Sequence, residues 1–178
     1  TTTYRYSGGE MYTSGDVRDR RFAGFETISE SRDDTLTKSY YYQGNSASTT
    51  AGELTDHYAK IGRAYRTDVL ASSTSALLKR TFYNWSSLYQ GDNGRYFVFL
   101  ATTTEESFDG NFTHKDTATS YTYSTTTGNV LTRTDLGEVT AANDGTFTDA
   151  GSDNRTTSIS YATNGAYVIG LPSQETLT

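Results

Sequence analysis

Two histidines, 21 Asp and Glu residues and no cysteine bound the chemistry open to this 178-residue chain. His57 and His114 lie far apart, and neither has the spacing of a metal-ligand pair, so both read as surface or loop residues. The chain contains no GxSxG turn to raise a hydrolase serine. Gly8-Gly9 and Gly91-Asp92-Asn93-Gly94 lack the strand-to-helix context of a phosphate-binding loop. Carboxylates occur in pairs at Asp33/Asp34 and Glu105/Glu106. A glycosidase needs two of them facing a cleft at about 5–9 Å, and sequence neighbours are more simply read as solvated turn residues. With no convergent catalytic set, the chain is expected not to be an enzyme and to need no cofactor.

Two stretches carry binding chemistry. Residues 143–155, NDGTFTDAGSDNR, place Asn143, Asp144, Asp149 and Asp153 in a glycine-bearing loop. Such hard oxygen ligands suit Ca²⁺, although the spacing does not follow the EF-hand rule and a solvated acidic loop is the simpler reading. Tyr83, Trp85, Tyr89 and Tyr96 cluster within residues 75–100. Aromatic faces on a β-surface serve either to pack one hairpin on the next or to hold a sugar ring.

The elements that position these residues have a period of two almost throughout. Residues 25–31, 35–42, 64–70, 79–85, 95–100, 119–124, 129–135, 156–162 and 166–170 read as strands, rich in Thr, Tyr, Val, Ile and Phe. Turn signals separate them at residues 32–34, 44–46, 91–94, 109–111, 128–129, 143–145 and 164–165. Short loops make 25–31 with 35–42, 75–88 with 95–105, and 119–124 with 129–135 three antiparallel hairpins. Leu54, Tyr58 and Ile61 fit a helical stripe over residues 52–61, but the stretch is short and uncapped, so a partly ordered loop is expected. Both ends look like strands, 3–6 and 173–177, and read as cuts inside a longer polypeptide. The fold class expected is all-β, a continuous curved sheet of antiparallel hairpins forming one segment over residues 1–178.

Composition agrees with thin layers and wet faces. Hydrophobic residues make up 34 %, and the aromatic complement is dominated by 15 Tyr, whose rings bury area while their hydroxyls reach water. The net charge of −6 argues against nucleic acid and against an anionic membrane surface. The mean hydropathy of −0.65 goes with the lack of any apolar run long enough to cross a bilayer as a helix.

Tyr123-(x)4-Gly128-Asn129-Val130-(x)4-Asp135, preceded by Tyr121, resembles the tyrosine–aspartate (YD) repeat of bacterial RHS proteins. Ser124 stands where that pattern has its first Asp, and the turn carries one extra residue. Residues 19–26 (DRRFAGFE), followed by 39–45 (SYYYQGN), resemble a segment of the B component of insecticidal toxin complexes. Residues 61–66 resemble the connector that follows there, with Ala64 in place of its usual Pro, and Gly170-Leu171-Pro172 resembles a step between repeats. The resemblance covers residues 18–178. It implies a β-strip coiled into a shell around a cytotoxic segment, in a secreted or cell-surface bacterial protein. The partners it implies are flanking repeats of the same polypeptide and an enclosed toxin domain. It also implies that the tyrosines stack on apolar residues such as Val130 or Leu131, that Gly128 supplies the turn's positive φ, and that Asp135 accepts backbone N–H groups. The alternative is an adhesin-like β-domain that binds a glycan through Tyr83, Trp85, Tyr89 and Tyr96.

Overall fold

The computed structural model describes residues 1–14, 18–91, 94–110, 112–162 and 169–178. Eleven strands follow in chain order: β1 (Thr2–Thr13), β2 (Arg20–Arg32), β3 (Thr35–Tyr41), β4 (Ala64–Ala71), β5 (Leu77–Tyr89), β6 (Tyr96–Phe108), β7 (His114–Tyr123), β8 (Val130–Ala141), β9 (Phe147–Asp149), β10 (Arg155–Tyr161) and β11 (Pro172–Leu177). They form one open antiparallel sheet in the order β1-β2-β3-β4-β5-β6-β7-β8-β10-β11. The short β9 pairs with β8 beyond the reach of β10, so the two share one edge of β8. Short loops produce most of this order directly, because they leave the next strand no other place to pair, while β3 and β4 pair across the long segment 42–63 and β10 returns past β9 to β8.

The three hairpins expected from the turn signals are present, with most strands longer than their apolar alternation marks. β1 runs straight through Gly8-Gly9. The left-handed backbone of Gly8 (φ 64°) leaves it out of the pairing with β2. Register shifts of the bulge type recur along the sheet, at Glu10/Met11, Tyr40/Tyr41, Val69/Leu70, Asn84/Trp85 and Thr122/Tyr123. Each lengthens one strand locally and bends it. Residues 52–61 belong to a loop whose order comes from 3₁₀ turns at Thr49–Ala51 and Tyr58–Lys60. The turn expected at 164–165 and residues 166–168 of the strand expected at 166–170 lie outside the described residues, as do residues 92–93 of the turn at 91–94 and residue 111 of the turn at 109–111.

Directly opposed residues on neighbouring strands share a face. Two adjacent rows therefore cross the middle of the sheet on one side. The first runs Tyr40, Arg66, Phe82, Thr104, Ala118. The second runs Lys38, Asp68, Arg80, Glu106, Asp116, Val139. No second sheet covers these rows among the described residues. They are covered by two connections, the long β3–β4 segment (residues 42–63) and the β8–β9 turn (residues 142–146).

Phe82 shows how close that cover lies. A Cβ on Gly52 of the long connection would sit 2.6 Å from its ring, and one on Gly145 of the turn 2.5 Å from it. Both glycines have left-handed backbone, φ 101° and 82°. No other residue fits either position without displacing the ring. The Thr104 hydroxyl donates to the Gly145 carbonyl at 3.0 Å and anchors the turn. Gln43 anchors the connection by donating from its side chain to the carbonyls of Gly8 (2.7 Å) and Gly24 (3.0 Å). The buried set is small and mixed: Ala23, Tyr42, Tyr65, Phe82, Ala118 and Val139 beside Gln43, Glu53, Lys60, Asp68, Thr104, Glu106 and Asp116. Every residue of β11, and all but Tyr12 on β1, is exposed.

Candidate functional site

The β7–β8 hairpin holds the repeat-like motif. Tyr123 pairs with Val130, and the Ser124 N–H donates to the Asn129 carbonyl at 2.8 Å to open the turn. Gly128 takes φ 78° and donates back to the Ser124 carbonyl at 2.9 Å, the role expected for it. The tyrosines differ from expectation. The Tyr123 ring contacts Phe99 (5.2 Å) and Phe97 (6.0 Å) on β6, while Tyr121 lies 6.5 Å from Tyr123. Stacking thus runs to the preceding hairpin, because the rings on one face meet the neighbouring strand's rings sooner than the small side chains after the turn. Leu131 stays 41 % exposed. Asp135 also differs. It accepts from the Thr119 hydroxyl (2.9 Å) and the Arg133 guanidinium (2.9 Å), both side-chain donors, since the local backbone N–H groups are committed to the ladder. Asn129 donates from its side chain to the Ile169 carbonyl and ties the turn to the segment before β11.

The aromatic quartet divides. Trp85 is held by its own chain: the indole N–H donates to the Ala64 carbonyl at 2.8 Å, and the Arg63 guanidinium lies over the ring at 4.4 Å. Tyr83 makes no ring pair with the other three. Tyr89 and Tyr96 do pair, at 5.3 Å, with Tyr89 53 % exposed. The connection brings His57 (4.5 Å) and Tyr58 (5.5 Å) against Tyr96, and Tyr12 stacks on Tyr58 from β1 at 6.0 Å. Arg21 donates to the Tyr58 carbonyl at 3.3 Å and lies over the Tyr12 and Tyr58 rings. An open groove of about 330 Å³ lies against Arg21, Tyr58, Ile61 and Tyr96.

Each aspartate of the acidic stretch serves its own turn. Asp144 accepts from the Thr146 N–H (3.0 Å) and hydroxyl (2.6 Å), which hold its carboxyl below the usual range. Asp149 accepts from Asn154 (3.0 Å) and from the Gly151 N–H (3.2 Å). Asp153 accepts from the Glu138 N–H at 3.3 Å, on the part of β8 between the pairings with β9 and β10. There it takes the place of the missing strand partner. Among the described residues, no three His, Asp or Glu side chains are grouped closely enough to hold a metal ion.

Within the charged row, Glu106 is not the solvated turn carboxylate expected beside Glu105 but a buried residue of β6, because strand register turns it under the covering loops; the sequence alone leaves Asp68, Arg80 and Asp116 unmarked. Asp68, 4 % exposed, accepts from Arg66 and Arg80 at once, with the Arg66 Nε and Arg80 Nε both 2.9 Å from Oδ1. Burial opposes its charge, but the two guanidinium groups prevail and hold the carboxyl below the usual range. Arg80 reaches on to Glu106 at 3.6 Å. Glu106 is 1 % exposed, and its burial, only partly offset by Arg80 and His114, pushes its carboxyl up. Asp116 meets His114 on its own strand and accepts from the Ala141 N–H at 2.9 Å. One signal was available: Arg66 and Asp68, two apart on a strand, must share a face. That Arg80, Glu106 and Asp116 join them depends on register across three successive strand pairings.

Against known proteins, no family model matches this chain and no curated protein matches it. A solved structure does. A chain of the TcdB2–TccC3–Cdc42 crystal structure superposes with a TM-score of 0.64 at 15 % identity, over 96 % of this chain. The match spans 12 % of that much longer chain. The fold is thus shared with a stretch of that protein. No described helix is long and apolar enough to cross a membrane.

Proposed function

We propose that this chain is a non-enzymatic structural segment of a large secreted or cell-surface bacterial protein of the RHS/YD-repeat type. In this reading its hairpins form part of the wall of a β-shell that encloses a toxin or other effector, and its partners are the flanking repeats and that cargo. The observation that carries the reading is the open sheet of serial hairpins, which superposes on a small fraction of a toxin-complex chain. The form of the sheet supports it. Among the described residues its outermost strands, β1 and β11, pair on one side only, and exposed edges call for a neighbour. The β7–β8 hairpin adds the Tyr–Gly–Asp spacing, and its Tyr123 couples it to the preceding hairpin through Phe97 and Phe99.

An antibody raised to these residues and used to blot the source organism tests the reading. A band far above 19.6 kDa is expected, and a native species of 19.6 kDa would overturn it. A second reading, a glycan-binding β-domain, draws on the exposed Tyr89–Tyr96 pair beside the Arg21 groove. Glycan-array binding that Tyr89→Ala and Tyr96→Ala abolish is its test.

A further inference from the structure

The connection that covers the sheet contains a carboxyl pair that geometry alone leaves incomplete. Glu53 is 3 % exposed and accepts from the Ser48 N–H at 2.6 Å. Asp56 faces it from three residues on. Asp56 Oδ2 accepts from the N–H groups of Asn45 (2.7 Å) and Ser46 (3.2 Å). Asp56 Oδ1 is buried, and no donor among the described residues reaches it. An orphaned carboxylate oxygen costs the full desolvation of that group unless a proton is supplied.

The obvious cation does not supply it. Lys60 is buried in the same connection, but its ammonium is directed at the carbonyls of Thr55 (2.6 Å) and Leu54 (3.4 Å) and the Thr55 hydroxyl (3.4 Å). The other groups facing the pair are Glu26 from β2, Tyr42 at the head of the connection and Tyr65 from β4. Glu26 adds negative charge, the Tyr42 hydroxyl donates to the Leu54 carbonyl at 3.2 Å, and the Tyr65 hydroxyl makes no hydrogen bond to Asp56 Oδ1. The donor that remains is Glu53 itself in its acid form.

We infer that Glu53 is protonated and donates to Asp56 Oδ1, and that this shared proton holds the 42–63 connection closed over the sheet. Loss of the proton sets two buried carboxylates against each other, with Glu26 behind them. The connection then lifts from Phe82 and Tyr65. Burial, with Asp56 and Glu26 adding to it, pushes the Glu53 carboxyl up to about 7, so the latch is set to open near neutrality. This inference does not depend on the shell reading, because it concerns one loop and the strands beneath it.

Carboxyl carbon NMR of the wild-type 178-residue chain, titrated with acid and base, reads the latch directly. A Glu53 midpoint near 7 is expected, and one below about 5.5, within a unit or so of a free glutamate, overturns the proposal. Two readouts follow opening. Trp85, the single tryptophan, donates to Ala64 at the end of the connection, so its emission should change through the same midpoint. Tryptic cleavage after Lys60, normalised to a free reference peptide, should rise about tenfold between about pH 6 and pH 8, as the ionised fraction grows. Glu53→Gln keeps a donor at every pH and should remain resistant at pH values near 8. The same rise in Glu53→Gln as in wild type would overturn the proposal. If that variant does not fold, the wild-type titration decides alone. Glu106→Gln, at another buried acid whose carboxyl is also pushed up, should leave cleavage after Lys60 as it is in wild type.

Discussion

The middle and the flanks of this sheet are built from the same residue types but are held in different ways. Strands β3 to β7 lie beneath the 42–63 connection and the β8–β9 turn, and they contribute Tyr65, Phe82, Asp68, Thr104, Glu106 and Asp116 to the buried set. At the flanks, β1 leaves Tyr4, Tyr6 and Met11 more than half exposed, and β11 buries nothing. Flank strands therefore depend on ladder hydrogen bonds and one neighbour, while middle strands add burial and ion pairing. With no opposing sheet among the described residues, this sheet gains a core only where its own loops fold back on it.

That contrast predicts a steep gradient of mutational cost. Phe82→Ala should have the largest effect. It removes the ring lodged between Gly52 and Gly145 and should cost about 3–5 kcal/mol in urea unfolding. A loss comparable to that of a β11 substitution would show that the two loops do not seal the sheet.

Asp68→Ala should cost about 3 kcal/mol, because it takes from the half-buried Arg66 and Arg80 the acceptor they share. The pH dependence of wild type sharpens this point. Asp68 has a lowered pKa in the fold, so its contribution is present above the ordinary carboxylate pKa and is lost as pH falls through the folded value. Glu53 and Glu106 have raised values, and theirs has the opposite sign: it is present in acid and lost as pH rises through their folded values. Melting temperature against pH should therefore rise out of strong acid and decline again toward neutrality. Asp68→Asn should flatten only the acid limb.

Tyr123→Ala should cost about 1–2 kcal/mol, as it removes ring contacts to Phe97 and Phe99 in a half-exposed setting. A cost near zero would mean that the repeat-like tyrosine does not couple hairpins. Smallest of all, Lys79→Met should change stability by less than about 1 kcal/mol, since its pair with Glu105 lies 45 % and 39 % exposed. An equally small effect from Asp68→Ala would erase the distinction between covered and uncovered ion pairs.

Alternating Thr, Tyr and Val, with Gly, Asn and Asp at the turns, determined by itself that this chain makes antiparallel hairpins at its short turns, while the pairing of β3 with β4 across residues 42–63 and of β8 with β10 past β9 came from the tertiary structure. Period-two side chains and hairpin loops of two to six residues are local properties, so the sequence states them wherever they occur. The turn at Ser124–Asn129 and the left-handed Gly128 were legible for the same reason. Strand length was less legible, because ladder pairing carries β1 through Gly8-Gly9 where side-chain alternation fades. Tertiary structure alone decided that Tyr123 meets Phe97 and Phe99, that Trp85 is capped by Arg63, and that Asp153 caps a gap in β8. It also decided which of the 21 acids are buried. Asp68 meets Arg80, and Glu53 meets Asp56, through cross-strand register and the fold of one long connection. Register accumulates over every hairpin and bulge, and a one-residue slip would turn the charged row to the opposite face.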